Sequence, residues 1–512
     1  MTTFFVRPDA SHNTVRNGLS YETAWGGWGE VSWGTVAGAN QLYVCGAHFY
    51  ETTVTVNGTG ADANNRLSIR GDYLGDPGVL NLTLSAVLNL NQNNLYIPNL
   101  DINSTNGSAI YISPGKSNVQ IEGCSLLTTN AHGIYLAAGV DTALTNCEIL
   151  NCNIAASKHG IAWWPNADKA TSLSELTISG NTINAGTTGI FLFDESIGVV
   201  SASDVLIHNN IIRATKDCGL RFSMSQEDVT KGNRLTITDN DIQYCGQGGA
   251  NAAGGVLLVG FTDVLVTGNN LSNNFGVYGG INPQYCKNLV VTDNVCNNNF
   301  SDDIDGNGIL IDNGCDNVTV TRNICSGNDR IPVSTYKPLN PYGGSGIMVL
   351  NAHNVRVYGN YGDSNRVGFH ITFSVDPTNV QIFNNTFTNC RVGGLDSAGS
   401  SGTANPLEYT VKNNILTGGP NAVFALQTYA AKQINADYNC LYGFLGNSAQ
   451  PAGSHDSHTD PVLSGFIPAA DSPCVAGGER IDPTWTDFYG HRFAGKPTLG
   501  AVERKRTAHL RR

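Results

Sequence analysis

The chain repeats one short phrase, which reads ISGNTI at residues 178–183, IHNNII at 207–212 and ITDNDI at 237–242. Its fourth position is most often asparagine, and successive asparagines lie 24 to 37 residues apart. A period of this length with irregular insertions indicates a solenoid, in which each repeat packs on its neighbours. The marker asparagines are Asn181, Asn210, Asn240, Asn270, Asn294, Asn323, Asn360, Asn385 and Asn414.

A second phrase, Gly-apolar-x-apolar, precedes most of these asparagines, as in GIYL at Gly133, GIFL at Gly189 and GILI at Gly308. Both phrases alternate apolar and polar residues with period two, which is strand periodicity. Each period therefore predicts one turn of a parallel β-helix, with inward apolar side chains stacked about 4.8 Å apart. We expect the marker asparagine to adopt left-handed backbone at the bend and to bond its neighbour's amide.

The opening text FFVRPDASHNTVRNGLSYETAWGGW and the closing text DPVLSGFIPAADSPCVAGG resemble those of right-handed parallel β-helix proteins related to pectate lyases and phage tailspikes. With the repeats between them, the resemblance covers most of residues 3–503. It implies an all-β, right-handed parallel β-helix of about 12–14 coils. The predicted divisions are an N-terminal cap with the first coils at 1–90, the central β-helix at 91–445, a small closing region at 446–503 and a basic, disordered tail at 504–512.

The bulk properties exclude several classes of protein. A formal net charge of −12 argues against nucleic-acid binding, which requires a basic surface. No apolar run is long enough to span a membrane, and the N-terminus MTTFFVRPD has no signal-peptide pattern. We therefore expect a protein made in a cytoplasm, which stays there, is released or enters a virion tail. The 13 cysteines contain no CxxC pair and predict buried thiols.

The regular spacing breaks on two sides of one predicted strand. From the strand glycine to the next asparagine, the gap rises from 14 or 15 residues to 21 in the turns that begin at Gly160, Gly189 and Gly219. In later turns the opposite gap, from asparagine to glycine, rises from 8–10 to as many as 23 residues. Two offset walls predict a groove for a chain-like ligand. The alternatives are variable loops and a subunit contact.

The first wall carries acidic candidates for catalysis, because its turns read WWPNADKATS, FLFDESIGVV and FSMSQEDVTKG. Turns are about 5 Å apart, which allows the carboxyl separations of about 5–10 Å that glycosidases need. Crowded carboxylates also raise one another's pKa, so that one can stay protonated and donate. The candidates are Asp194, Glu195, Glu227 and Asp228, with Asp168 in the preceding turn.

Aromatic and basic residues supply the candidates for substrate binding. Alternation points one of Trp163 and Trp164 outward, where an indole can stack on a sugar ring. Arg221 occupies an outward position on the same face, and the insertion NDRIPVSTYKPLNPYGG brings Tyr336 to the second wall. The full set is Trp163, Trp164, Arg221, Tyr285, Tyr336 and His370.

The second wall reads SDDIDGNGILIDNG at residues 301–314. Asp303, Asp305 and Asn307 are spaced as oxygen ligands are in calcium loops, although a full twelve-residue loop is absent. The alternatives are an Asp-rich turn that bonds its own backbone and further catalytic acids, namely Asp303, Asp305 and Asp312. No cofactor is required for the predicted chemistry, and calcium would be structural.

Three functions follow from these candidates. The leading one is hydrolytic depolymerisation of a bacterial surface polysaccharide by paired carboxylates, and the tailspike resemblance implies a homotrimer. The second is a polysaccharide lyase, which needs a base and a group that neutralises a uronate carboxylate. The third is a non-catalytic carbohydrate-binding or structural fibre. Candidates for the lyase base are Lys158, His159, Arg221, Tyr285 and His370.

The segment YGGINPQ at residues 278–284 is similar to the YG-x-DPH segment of alginate epimerases. Asn282 and Gln284 stand where that motif has its catalytic Asp and His. This difference argues against epimerase chemistry at this position.

Overall fold

The computed structural model describes residues 1–8, 15–165, 171–193, 200–224, 231–248, 252–301, 306–330, 343–373, 379–399, 409–428, 434–446 and 453–504. The chain divides into two compact units, Met1–Asp241 (unit 1) and Ile242–Arg512 (unit 2). Both are built from stacked parallel strands, which confirms the predicted β-helix. The four-part division of the sequence stays a prediction.

Unit 1 has three parallel sheets, to which each turn contributes one short strand. Sheet 1 of unit 1 contains Thr3–Val6, Gln41–Val44, Leu67–Arg70, Leu95–Pro98, Ser117–Glu122, Thr142–Leu150, Thr171–Ser179, Val200–His208 and Gly232–Thr238. Sheet 2 of unit 1 contains Val54–Val56, Leu88–Leu90, Ile110–Ile112, Ile134–Leu136, Ile161–Trp163, Thr188–Phe193 and Cys218–Ser223. Sheet 3 of unit 1 contains Ala47–Tyr50, Val79–Leu82, Asp101–Ser104, Ser125–Thr128, Asn153–Ala156, Thr182–Ala185 and Ile211–Arg213.

The helical residues described in unit 1 form a 3₁₀ turn at Trp28–Glu30 and a short α-helix at Trp33–Val36. A further strand, Asp241–Gln243, contains the boundary between the units. The low helix content agrees with a sequence that offers strand periodicity and no long helical stripe.

Unit 2 repeats the plan with parallel sheets and a closing region. Sheet 1 of unit 2 contains Phe261–Thr267, Lys287–Thr292, Asp316–Thr321, His353–Tyr358, Val380–Phe383, Tyr409–Lys412 and Ile434–Asp437. Sheet 2 of unit 2 contains Gly254–Val259, Ile281–Gln284, Ile309–Ile311, Ser345–Leu350, Val367–Phe373, Gly393–Gly399 and Phe424–Thr428. Sheet 3 of unit 2 contains Tyr361–Asp363, Thr386–Cys390, Ile415–Gly418 and Cys440–Tyr442. Phe300–Ser301 pairs with Asp329–Arg330, and Leu463–Ser464 forms an antiparallel hairpin with Ile467–Pro468.

Equivalent apolar residues of successive turns form the core. In sheet 1 of unit 1, Ile149, Ile178 and Ile207 lie in register, and all three are fully buried. The strand glycines are required by close packing, because a Cβ on Gly133 or Gly160 would lie 2.3 Å from an isoleucine methyl group. All 13 cysteines are buried thiols, as the sequence predicts.

The marker asparagines form buried ladders. In unit 1 the Asn181 Nδ2 donates to the Asn210 Oδ1 at 2.9 Å, and the Asn210 Nδ2 donates to the Asn240 Oδ1 at 3.0 Å. In unit 2 the same bond joins Asn294, Asn323, Asn360, Asn385, Asn414 and Asn439 in series. The ladder bond is therefore confirmed.

Two details of the ladder differ from the prediction. The left-handed backbone lies at the residue before each ladder asparagine, for example Asn209 with φ 54° and Asp239 with φ 55°. The ladder residue in the first turn of unit 2 is Asn269, whose Nδ2 donates to the Asn294 Oδ1 at 2.9 Å, in place of the predicted Asn270. The phrase GNN offers two adjacent asparagines, and its repeat pattern alone does not decide which one turns inward.

Candidate functional site

The outer face of sheet 2 in unit 1 presents a column of side chains one turn apart. Strand register aligns Tyr111 with Tyr135, Tyr135 with Ala162, Ala162 with Phe191 and Phe191 with Arg221. Because side chains alternate along a strand, these residues face away from the core that their neighbours fill. The column spans four steps, or about 19 Å.

Aromatic rings cover most of this face in a connected series, which we call the aromatic ladder. Tyr111 stacks on Tyr135 with ring centroids 5.7 Å apart. His132 lies 5.4 Å from Tyr135 and stacks on His159 at 5.1 Å. The ladder consists of Tyr111, His132, Tyr135, His159, Phe191 and Trp164.

The upper part of the ladder depends on the small side chain of Ala162. His159 stacks on Phe191 at 4.2 Å, and Trp164 meets Phe191 edge to face at 5.6 Å. The Tyr135 hydroxyl donates to the Trp164 carbonyl oxygen at 3.2 Å and so ties adjacent turns together. Each aromatic pair contributes about 0.5–1.5 kcal/mol beyond its area burial, which favours a single, pre-organised surface.

The two predicted tryptophans have different environments. Trp164 is 37% exposed and joins the ladder, as the alternation predicts for one of the pair. Trp163 is fully buried and aligns with the core residues Leu136 and Leu192. Trp163 therefore does not fit the predicted substrate contact, because its side chain fills the interior of the turn.

Both ladder histidines are neutral near pH 7. Burial, and secondarily the charge of Lys158, lowers the pKa of His132 to about 4. Burial, followed by His132, Lys158 and Arg221, lowers the pKa of His159 to about 3. The buried Nδ1 atoms of His132 and His159 have no hydrogen-bond partner. The histidine rings of the ladder are therefore uncharged near pH 7.

A charged pair follows the ladder at its Arg221 end. The Arg221 Nη1 lies 3.3 Å from the Asp217 Oδ2, and the two side chains are 31% and 24% exposed. The Thr188 hydroxyl donates to the same Asp217 oxygen at 3.4 Å. Arg221 thus sits on the predicted face, held by a carboxylate that the sequence did not single out.

The predicted acids of the first wall, Asp168, Asp194, Glu195, Glu227 and Asp228, lie outside the described residues. What is described is the geometry of the strands before them. Trp163 aligns with Leu192, and Phe193 aligns with Ser223, so the three segments leave the same end of neighbouring strands. Asp303, Asp305 and Tyr336 of the second wall also lie outside the described residues.

Asp312, another predicted acid, lies on the outer face of sheet 2 in unit 2 and is 3% exposed. Its Oδ2 accepts hydrogen bonds from the Asn282 Nδ2 at 3.3 Å and the Gln284 Nε2 at 3.1 Å. Its Oδ1 accepts the Asn313 N–H at 2.7 Å. Burial raises the pKa of Asp312 against the opposing effect of these donors. The amides at the epimerase-like segment therefore serve to hold this carboxyl group.

His370, predicted from the sequence, forms a buried pair with Asp396, which the sequence analysis did not predict. The His370 Nδ1 lies 3.5 Å from the Asp396 Oδ2, and the side chains are 0% and 4% exposed. Burial lowers the pKa of His370 to about 3 and raises that of Asp396 to about 7. Arg366, itself 4% exposed, acts on both groups through its charge. Between about pH 3 and pH 7 the pair is neutral, with the proton on Asp396.

Two further predicted residues, Tyr285 and Asn307, lie among the described residues. Tyr285 lies at a corner with φ 51°, and its ring closely approaches Gly314. Asn307 is fully buried, and its Oδ1 accepts the Ser345 N–H at 2.9 Å. This environment does not fit the predicted calcium ligand, because the amide oxygen is directed into the protein. No cluster of three or more His, Cys, Asp or Glu that could hold a metal occurs among the described residues.

Several functional candidates emerge only from the fold. Tyr111, Tyr135, His132 and Phe191 come together because equivalent positions of successive turns stack. The pattern Gly-apolar-x-apolar contains the signal, since its third position faces outward on this sheet: it is tyrosine in GIYL and phenylalanine in GIFL. Asp396 occupies the same third position in GLDS at residues 394–397, but this phrase has a serine where the pattern has an apolar residue.

Comparison with protein families gives one match, to the right-handed β-helix region, over residues 85–254, 159–338 and 306–439. Comparison with curated proteins gives no match. Among the described residues, no helix has the length and apolar character needed to cross a bilayer.

Several solved structures are similar to this chain at low identity. A surface adhesin of Streptococcus pneumoniae is 12% identical, with a TM-score of 0.40 over 71% of this chain and 85% of the adhesin. A periplasmic alginate epimerase is 12% identical, with a TM-score of 0.39 over 71% of this chain and 74% of the epimerase. A mannuronic acid-specific lyase of polysaccharide family 6 from human gut microbiota is 12% identical, with a TM-score of 0.35 over 78% of this chain and 82% of the lyase.

Proposed function

The chain belongs to the right-handed β-helix family, and from this premise we propose that it binds a polysaccharide along the aromatic ladder and depolymerises it. Fold membership does not decide a reaction, so the proposal depends on the chemistry of the face. Its substrate class is a bacterial surface polysaccharide, and its assembly, by the tailspike resemblance, is a homotrimer.

The aromatic ladder is the observation that carries the proposal. Sugar rings present apolar C–H faces, which stack on aromatic side chains, and hydroxyl groups, which bond polar tips. Trp164 and the tyrosines supply both kinds of contact, and the rings from Tyr111 to Phe191 span three steps, or about 14 Å, along the stack of turns. An extended chain of several sugars matches that length better than a single small molecule does.

Glycosidic hydrolysis is the leading reaction. Glu195 and Glu227 are proposed as the reacting pair, with Asp194 and Asp228 beside them, because their segments follow adjacent strands of the ladder face. Hydrolysis needs one carboxyl group that donates a proton and a second that acts as nucleophile or base. The net charge of −12 also favours a neutral polymer over a polyuronate.

A lyase is the second candidate, favoured by the environment of His370. This histidine is neutral near pH 7, as a general base must be, and Arg366 supplies a nearby positive charge that can neutralise a uronate. Both side chains are buried in the described structure, so this reaction requires the covering residues to move.

The test is incubation with a panel of bacterial capsular and O-antigen polysaccharides, following reducing ends and the ultraviolet absorbance of unsaturated uronates together. Reducing ends without absorbance support hydrolysis, and both signals rising together support the lyase. The variants Glu195→Gln, Glu227→Gln and Asp303→Asn then locate the chemistry. Full activity in all three would refute the carboxylate assignment, and neither signal on any polymer would leave a binding fibre.

A further inference from the structure

Unit 2 contains a cavity of about 440 Å³ between sheet 3 of unit 2 and the C-terminal closing region. Its floor is a column of polar side chains from successive strands, in which Asp363 aligns with Thr388 and Thr417 aligns with Tyr442. Asp460 stands on the side of the closing region. The volume falls within the range of about 300–1,000 Å³ that is typical of small-molecule sites.

Two of the strands that form the floor of this cavity pair irregularly, whereas the other strand pairs of the same sheet keep a regular register. The pairing of Thr386–Cys390 with Ile415–Gly418 shifts register between Phe387 and Cys390, and Asn389 within the shift has φ 52°. Such bulges are frequent beside binding sites, because they redirect a side chain without ending the strand. Here the bulge brings both Thr388 and Asn389 into the lining of the cavity.

Hydrogen bonds fix the polar groups of the floor. The Asp363 Oδ1 accepts the Thr388 hydroxyl at 2.6 Å and the Asn389 Nδ2 at 2.7 Å. The Asn389 N–H donates to the Thr417 Oγ1 at 3.0 Å. Because Thr417 accepts this bond, its own hydroxyl hydrogen can be donated to a ligand. The floor is therefore ordered before any ligand binds, which lowers the entropy cost of binding.

Two tyrosines complete the lining. Tyr361 stacks on Phe466 of the closing region with centroids 4.3 Å apart, which fixes that wall. Tyr442, at the end of the polar column, is 38% exposed and is free to present its ring to a ligand. Burial, and then the charge of Asp363, raises the pKa of Tyr361, so its phenol is neutral at ordinary pH.

We propose that this cavity binds a single neutral sugar residue. The Tyr442 ring would carry the apolar face of the sugar, and Thr417 and Asp460 would bond its hydroxyl groups. Two carboxylates in the lining, Asp363 and Asp460, repel anionic sugars and so select against uronates. The site lies in unit 2, whereas the aromatic ladder lies in unit 1, so it stands independently of the proposed polysaccharide reaction.

Saturation-transfer NMR on the full chain tests the proposal. The probes are glucose, galactose, mannose and N-acetylglucosamine, with glucuronate as the anionic counterpart. We expect at least one neutral sugar to bind with millimolar affinity, and Tyr442→Ala and Thr417→Val each to weaken that binding by about tenfold. Leu445→Ala, at a 74% exposed residue of the same region, is the control and should bind like the parent.

Three results would overturn the proposal. The absence of a signal from every neutral sugar at about 10 mM would show that the cavity does not bind them. Equal binding of glucuronate would refute the role of the carboxylates. Binding that survives both Tyr442→Ala and Thr417→Val, or that disappears in Trp164→Ala, would place the sugar elsewhere. The ligand comparison needs no variant, so it decides the question even if a substitution disturbs folding.

Discussion

The buried His370–Asp396 pair makes stability depend on pH in two opposing ways. Burial raises the pKa of Asp396 from 3.8 to about 7. Its stabilising effect is therefore fully present below pH 3.8 and is lost as the pH rises through 7. Burial lowers the pKa of His370 from 6.5 to about 3, so its stabilising effect is present above pH 6.5 and is lost as the pH falls through 3.

These slopes cancel in the parent protein between about pH 4 and pH 6.5, because each amounts to about 1.4 kcal/mol per pH unit. Asp396→Asn leaves only the histidine slope, so the free energy of unfolding should rise by about 2.7 kcal/mol between about pH 4.5 and pH 6.5, relative to the parent. His370→Gln leaves only the carboxyl slope and should show a fall of about the same size. The double variant should again run parallel to the parent.

Guanidinium unfolding at three pH values, followed by circular dichroism, measures these differences. The matched control is Asp239→Asn at the exposed His208–Asp239 pair, whose ring nitrogen and carboxylate oxygen are 3.6 Å apart at 42% and 58% side-chain exposure. An exposed pair of this kind should change the profile by less than about 1 kcal/mol. If both single variants ran parallel to the parent, the buried pair would not have the shifted pKa values assigned to it. Slopes of the opposite sign would show a true ion pair in place of a neutral one.

Four further predictions concern other parts of the chain. Trp164→Ala should weaken polysaccharide binding by about tenfold, measured by titration calorimetry, without changing the unfolding midpoint. Glu195→Gln and Glu227→Gln should each lower the rate of reducing-end release by about 10²–10⁴-fold while polymer binding persists. Asn210→Ala should destabilise the protein by about 1–3 kcal/mol, because it leaves buried amides unpaired. Asn130→Ala, which removes one member of an exposed pair, should destabilise it by less than about 0.5 kcal/mol. Chemical unfolding measures both effects. Chelation by EDTA should leave the melting temperature unchanged, and a clear drop would restore the calcium hypothesis at residues 303–307.

The architecture could be predicted from the sequence because each turn repeats the same physical requirements. The phrases around Ile178 and Ile207 place apolar residues at the same phase, and a strand period of two assigns them to one face. Which asparagine joins the buried asparagine ladder could not be predicted from the repeat pattern alone. In GNN, Asn269 and Asn270 are equally suited to a polar bend, and packing inside the turn selects Asn269.

The candidate site was partly predictable for a related reason. Arg221 follows directly from alternation, whereas the aromatic ladder depends on side chains from separate turns that meet in space. The pair of Trp163 and Trp164 shows the limit, because alternation states that one faces inward without saying which. The role of Asp396 could not be predicted, because its burial, and hence its shifted pKa, arises from packing that a single short phrase does not encode.

Affinity electrophoresis tests most directly whether the aromatic ladder of unit 1 binds a polysaccharide. Gels containing each polymer of the panel would be run with the parent, with Trp164→Ala and with Tyr244→Ala, whose side chain is 50% exposed in unit 2. At least one polymer should retard the parent and the Tyr244 variant, and it should bind Trp164→Ala about tenfold more weakly and so retard that variant much less. Equal retardation of all three proteins would show that the aromatic ladder is not the binding surface.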